Sequence, residues 1–383
     1  MPSIRSYDAV IIGTGQAGNP LARSLDPLGP EDGRGRARGE SRRELHRAWV
    51  HSHQDHGRER VAYLARRAPD YGVSTGEVAV DLVKVRQRKR DIVDRFSGAA
   101  RRGLEEKENV DLIFGEASFS APHEVKVQAR TGDELHLKAP LVFINTGTRT
   151  PIPDIPGLAD VPYLTNATIM ELGETPEHLV VLGGGYIGLE FAQMFRRFGA
   201  RVTVVQSGSQ VLPREDEDVA TELARILRED GVDVLLSAEP VSAARDGERA
   251  VRVQVATPEG KRELLATALL VATGQAPNTD RLQLEAAGIE RDREGFIRVN
   301  HRLETNVPGV YALGDVKGGP AFTHILLRRL PGGGSQSAEG ETRASRTASC
   351  PTAFSPTPSS GASASPSARQ GSGGSRSGSR GSR

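Results

Sequence analysis

Brief apolar runs, each closed by glycine or polar residues, set the rhythm of this chain. Ala9–Ile12 (AVII), Leu141–Ile144 (LVFI), His178–Leu182 (HLVVL), Arg201–Val205 (RVTVV), 269–271 and 309–313 are the clearest. Runs this short between turn residues predict buried strands. Other strands are expected at 110–114, 232–236 and 296–300, with a hairpin layer over 117–127 and 134–137 and antiparallel pieces over 241–255. Apolar positions recur at helical spacing in Tyr186–Phe198, 61–67, 81–104 and 216–229, the third of these strongly charged. Thr150 to Pro156 reads TPIPDIP, a stiff proline linker. The alternation predicts an α/β chain.

Two of the strands run straight into glycines. His178–Leu182 is followed by Gly183, Gly185 and Gly188, then by the helix Tyr186–Phe198 and the strand Arg201–Val205. Strand, GxGxxG, helix, strand is the dinucleotide-binding unit in its full context, which makes the signal far stronger than glycines alone. Gly183 permits the tight turn, Gly185 lets a pyrophosphate approach the backbone, and Gly188 lets the helix pack on the strand. Free N–H groups at the helix start then meet the phosphate charge. Ala9–Ile12 with Gly13, Gly15 and Gly18 repeats the same opening near the N-terminus. Two Rossmann-like units are therefore expected.

The second strand of each unit separates them. In the central unit it ends at Gln206, where an acid would accept both adenine-ribose hydroxyl bonds and repel a 2′-phosphate. Glutamine is neutral, its carbonyl is expected to accept one hydroxyl bond, and weak discrimination between NADH and NADPH follows. In the first unit, residues 26–58 hold five glycines among seven arginines, with no isoleucine and one valine, Val50. That composition predicts no strand, no ribose acid and no packed structure.

Composition changes the picture only in places. The net charge of +1 gives no reason to expect a nucleic-acid or membrane partner. No run nears the roughly 20 apolar residues of a membrane span, and 9–12 is too short for a signal peptide, so a cytoplasmic protein is expected. Residues 331–383 are Gly, Ser, Ala, Arg and Pro with almost no large apolar side chain, so a disordered tail is predicted from residue 326 onward. The single cysteine is Cys350, so no internal disulfide and no redox cysteine pair is available. His46, His51, His53, Asp55 and His56 are dense enough to suggest zinc or nickel. Nothing nearby would orient them as ligands, and no metal site is assigned.

GTGQAG (13–18), Thr146-Gly147, GGGYIGLEFA (183–192), the ATG ending at Gly274 with Pro277-Asn278-Thr279, and YALGDV (311–316) occur in one order. Together they resemble the pyridine nucleotide-disulfide oxidoreductases, especially the mercuric reductase and dihydrolipoamide dehydrogenase branch. The resemblance implies an FAD domain (1–149 and 276–325) interrupted by an NAD(P)H domain (150–275). It implies that Gly13, Gly15 and Gly18 face the FAD pyrophosphate and that Thr146, Gly147, Gly314 and Asp315 belong to the FAD site. Asp315 would lie near the ribityl chain, and Glu190 under the nicotinamide–flavin contact. The expected cofactors are FAD and NAD or NADP, and the expected partners a nicotinamide nucleotide and a small electron acceptor.

The family's C-x4-C-x-P-[ST]-K motif and its C-terminal dimerisation domain have no counterpart in the printed residues, so loss of disulfide or metal-ion reduction and of the homodimer interface is expected. The genetic code offers a cause. Read one base later, Trp49 before valine must become glycine, Leu45 and Val50 are compatible with cysteine, and 51–54 with Thr-Pro-Thr-Lys. Residues 326–330, read one base later, and 349–367, read from each third base, also admit family-like segments, so frameshifts in two regions are the expected explanation. Two other readings stay open: a cysteine-free NAD(P)H:flavin diaphorase, similar to ferredoxin reductases, and a non-catalytic nucleotide-binding remnant. Hydride transfer itself needs only the two cofactors and their alignment.

Overall fold

Two sheets whose central strands run parallel, both covered on two faces, hold the glycine loops. The computed structural model describes residues 4–15, 18, 21–22, 36–40 and 59–319. All of them belong to one compact unit, Met1–Ser335; the other, Gln336–Arg383, lies outside the described residues, as do the expected tail from 326 and the histidines at 46–56.

The first sheet has eight strands. In chain order they are β1 (Ile4–Ser6), β2 (Ala9–Ile12), β3 (Arg36–Glu40), β4 (Val110–Ala121), β5 (Glu124–Ala129), β6 (Glu134–Lys138), β7 (Leu141–Ile144) and, far downstream, the strand Val310–Ala312. The spatial order is β1-β6-β5-β4-β3-β2-β7 and then Val310–Ala312. Strand β3 overturns the expectation of no second strand. It pairs in parallel with β2 (Val10 opposite Ala37, Ile12 opposite Gly39) and with β4 (Arg36 opposite Val110, Glu40 opposite Phe114). Its last residue, Glu40, stands 22 positions after Gly18, so an acid does end the strand. Composition failed here because position between two strands overrides intrinsic β-propensity.

Side chains alternate across this sheet. Val10, Ile12, Val142 and Ile144 bury one face against Phe119, Val125, Val127 and Leu137 of the antiparallel layer, as the hairpin reading expects. Ala9, Ile11 and Phe143 bury the other against Leu21, Leu104 and Leu313.

Two helices follow β3: α1 (Glu59–Arg67) and α2 (Leu82–Glu105), the latter capped by Asp81, whose carboxylate accepts from Lys84 N at 3.0 Å. The charged α2 is tied down by its cations. Lys89, buried, and Arg90 pair with Glu171, and Arg86 Nη1 donates to the Glu171 carbonyl at 2.8 Å. Helix α1 presents Glu59 to Arg197, whose guanidinium also lies 4.4 Å from the Tyr63 ring centre.

The second sheet is β9 (His178–Leu182), β10 (Arg201–Val205), β11 (Val232–Leu235) and β15 (Ala268–Val271), all parallel in the order β11-β10-β9-β15. Helices α3 (Tyr186–Phe198) and α4 (Glu217–Glu229) form the connections after β9 and β10. An antiparallel layer, β12 (Glu239–Asp246), β13 (Ala250–Thr257) and β14 (Gly260–Ala266), stacks Val251, Val253, Val255 and Leu264 on Val180, Leu182, Leu269 and Val271. Helix α3 stops at Gly199 (φ 112°), where Ala200 N donates back to the Phe195 carbonyl at 3.0 Å.

The chain passes between the sheets twice, at β8 (Thr148–Arg149) and β16 (Ala276–Pro277), and the two passes pair with each other. The final strand, β17, is Val310–Ala312. Residues 296–300 do not form the expected strand. Asp292 Oδ1 accepts from Glu294 N and Phe296 N, both at 2.9 Å, and leaves a turn with one bridge, Arg291 to Ile297. Among the described residues no helix is long and apolar enough to cross a membrane.

Candidate functional site

Strand ends build each glycine loop. In the first unit Gly13 follows β2 with φ +99°, and a Cβ there would lie 2.4 Å from the Asn145 carbonyl oxygen. Asn145 N donates to the Ile12 carbonyl at 2.8 Å and Leu313 N to the Ile144 carbonyl at 2.8 Å, which draws the ends of β2, β7 and β17 together. Gly18 N closes the loop on the Gly15 carbonyl at 3.0 Å. The Asn145 side chain, buried, has one orientation that satisfies both its ends. Oδ1 accepts from Gly15 N (3.1 Å) and Gly18 N (3.0 Å), and Nδ2 donates to the Leu313 carbonyl (3.2 Å). Gly314 (φ 73°) then opens a short 3-10 turn that carries the half-buried Asp315.

The second unit repeats this plan with different side chains. Gly183 has φ +110°, and its Cβ would lie 2.4 Å from the Ala272 carbonyl oxygen. Ala272 N donates to the Leu182 carbonyl at 2.8 Å, so Ala272 holds the place that Asn145 holds in the first unit. Gly188 admits no side chain, because a Cβ would sit 2.1 Å from the Gly183 carbonyl oxygen. Gly185 and Gly274 face open space instead, with nothing within 4 Å of an added Cβ, the gap a backbone-bound pyrophosphate requires. Gln206, buried at the end of β10, turns its Oε1 to Gly184 N at 2.8 Å. One of that oxygen's two lone pairs is therefore used by the chain, and the expected bond from a ribose hydroxyl would use the other.

Tyr186, the first residue of α3, donates its hydroxyl to Glu215, and Glu190 lies one turn further along the same helix face, half-buried. At the start of β9, His178 is buried with Nδ1 2.7 Å from the Leu265 carbonyl and Nε2 2.9 Å from Thr203 Oγ1. A carbonyl only accepts, so Nδ1 carries the proton and Nε2 accepts from the threonine. Burial holds the imidazole below its ordinary value.

The structure thus gathers Gly13, Gly15, Gly18, Gly314 and Asp315 at the carboxyl ends of β2, β7 and β17, and Gly183, Gly185, Gly188 and Gln206 at those of β9 and β10, where open α/β sheets bind ligands. Thr146 and Gly147 serve the paired passes: Thr146 Oγ1 donates to the Asn278 carbonyl (3.0 Å), Asn278 Nδ2 to the Thr146 carbonyl (2.8 Å), and Asn278 N to the Gly147 carbonyl (3.0 Å). Sequence reasoning missed Asn145; its signal is a polar residue directly after four apolar ones. Among the described residues no group of three or more His, Cys, Asp or Glu side chains is placed to hold a metal.

The chain belongs to the pyridine nucleotide-disulphide oxidoreductases, whose family model matches residues 7–328. The family works with FAD and a nicotinamide nucleotide. The chain is 35% identical over 339 residues to the probable pyridine nucleotide-disulfide oxidoreductase RclA of Escherichia coli, covering 85% of this chain and 69% of that one. The solved HOCl-induced flavoprotein disulfide reductase RclA from the same organism superimposes with a TM-score of 0.71 at 34% identity, over 86% of this chain and 72% of that one. The mercuric reductase of Lysinibacillus sphaericus is 33% identical over 266 residues, 69% of this chain; the chain spans about half that enzyme's length, 47%.

Proposed function

We propose that the chain is an FAD-dependent NAD(P)H oxidoreductase in which the first glycine loop holds FAD and the second a nicotinamide nucleotide. The carrying observation is the duplicated loop: a Cβ added at Gly13 would lie 2.4 Å from the Asn145 carbonyl oxygen, and one added at Gly183 would lie 2.4 Å from that of Ala272. On this reading 1–149 and 276–325 form the FAD domain and 150–275 the nicotinamide domain. Bound flavin supplies a two-electron acceptor for hydride. The chain's own part is to hold both pyrophosphates on backbone N–H groups, and to place Glu190 beside the nicotinamide and Asp315 beside the ribityl chain.

A dithiol step needs two cysteines, and the chain has only Cys350, so we propose reduction of a small acceptor rather than of a disulfide or mercuric ion. Purified protein should carry a yellow flavin that NADH or NADPH bleaches, and should reduce an artificial quinone or dye without added thiol. Colourless protein that takes up no added FAD would remove the reading and favour a nucleotide-binding remnant. Resequencing the codons for residues 45–50 tests the frameshift account, and codons incompatible with cysteine at Leu45 and Val50 would end it.

A further inference from the structure

We propose that Asn145 is a positioning residue that holds the first glycine loop in its phosphate-ready shape before any cofactor arrives. The inference rests on FAD binding at that loop. Loop amides aimed at an anion need other acceptors until it arrives; Gly18 N has the Gly15 carbonyl at 3.0 Å, and a further acceptor must come from outside the loop. Asn145 supplies one from behind. Its single Oδ1 gathers the amides of Gly15 and Gly18, the two ends of the turn, at 3.1 and 3.0 Å, and its Nδ2 anchors that pair to the Leu313 carbonyl at 3.2 Å. The side chain is 6% exposed, so water competes little for these bonds. Leu313 immediately precedes Gly314 and Asp315, so one carboxamide links the phosphate end of the site to the turn that carries Asp315.

The second unit shows that the fold does not demand this device. Ala272 stands in the same place, donating the same backbone bond, and no side chain there reaches the loop; Gly184 N is met instead from the β10 end by Gln206. The first loop is therefore dressed from β7 and the second from β10. Asparagine is neutral, which matters beside a diphosphate: a carboxylate would keep the acceptor contacts and add repulsion.

The test compares wild type, Asn145→Ala and Asn145→Asp in the full chain, using FAD titration by flavin fluorescence and amide exchange of the peptide spanning residues 13–18 without cofactor. Asn145→Ala should speed exchange and raise the FAD dissociation constant, each by about tenfold or more, since Gly15 N loses its acceptor and Gly18 N keeps only the Gly15 carbonyl. Asn145→Asp should keep exchange near wild type, because a carboxylate oxygen still accepts. Its FAD affinity should fall about tenfold between pH 5 and pH 8 as the introduced carboxyl ionises, while the other two proteins stay flat. That pH profile is not produced by a merely structural role. Affinity within twofold of wild type in both variants, or unchanged exchange in Asn145→Ala, would overturn the proposal. If wild type takes up no FAD, the assignment of the first loop fails, and the exchange rates still decide what Asn145 does to the loop.

Discussion

The two glycine units share a skeleton and differ in what surrounds it. In both, a glycine with positive φ lies against the carbonyl that follows a neighbouring strand. Around the second loop the strands are self-sufficient: β9 is buried at every position and β10 at four of five. The first unit has an equally buried β2, yet its second strand reads RARGE. What holds β3 is its place, between β2 and a β4 that runs on into an antiparallel layer. The two loops thus keep the same glycine geometry although their second strands differ in apolar content.

If the shared skeleton is real, Gly13→Ala and Gly188→Ala should be about equally damaging. Each forces a Cβ to within 2.4 or 2.1 Å of a backbone oxygen, and Gly13 adds strained φ. We expect losses of about 3 kcal/mol or more in urea unfolding. A harmless Gly13→Ala beside a ruinous Gly188→Ala would break the comparison at its root.

A sharper difference concerns the carboxamide of the second unit. Because Gln206 is neutral and shares its Oε1 with Gly184 N, the wild-type chain should bind NADH and NADPH within about tenfold of each other, or 1.4 kcal/mol. Gln206→Glu should move the balance toward NADH, read by titration with both nucleotides. A hundredfold preference in wild type would contradict the neutral-carboxamide reading.

His178 gives the second unit a pH dependence that Ala9, which opens β2, does not give the first. Its folded value is depressed, so near pH 6 the unfolded chain binds the extra proton and stability rises with pH. The contribution is present above the ordinary histidine value of about 6.5 and is lost as pH falls below it. Urea unfolding from pH 5 to 8 should show this slope, and His178→Gln should flatten it while removing about 1 kcal/mol at pH 8. An unchanged slope would mean that the protonated ring is accommodated.

The smallest effect lies in β3. Arg38, paired to Ile11 and Leu112, stands in a strand flanked on both edges. Arg38→Val should stabilise by about 0.5–1 kcal/mol if that strand obeys ordinary β-propensity, measured as a rise in Tm. A fall would show that the arginine has a partner the apolar side chain cannot replace.

Much of this was legible in the residues. Ala9–Ile12, Leu141–Ile144, His178–Leu182, Tyr186–Phe198 and Arg201–Val205 form with the bounds their apolar patterns give. They are mostly buried elements whose hydrophobic run and structural run coincide. Strand β3 was not legible because nothing local favours it; its partners lie before and after it in the chain. The opposite error, at 296–300, came from an apolar-looking stretch that Asp292 folds into a turn. In the site, glycine spacing announced both loops, but hydrogen bonds of a lone side chain leave no periodic trace. Asn145 therefore looked like a strand end, and nothing in the residues announced that Gly184 N shares the Gln206 carboxamide oxygen.

The paired passes at β8 and β16 carry a consequence for ancestry and for engineering. Because Arg149 and Ala276 face each other across that ribbon, with Arg149 Nη1 also donating to Pro277 O (3.1 Å) and Asp280 Oδ1 (2.8 Å), the stretch between them begins and ends at one point. Such a stretch behaves like a parenthesis in the polypeptide. Exchanging it for another folded cassette through the same two passes should leave the eight-stranded sheet paired once the contacts of Glu171 with Lys89 and Arg90, and of Arg197 with Glu59, are replaced. An exchange at that point would replace the second glycine loop, Gly183 to Gly188, and leave the first in place.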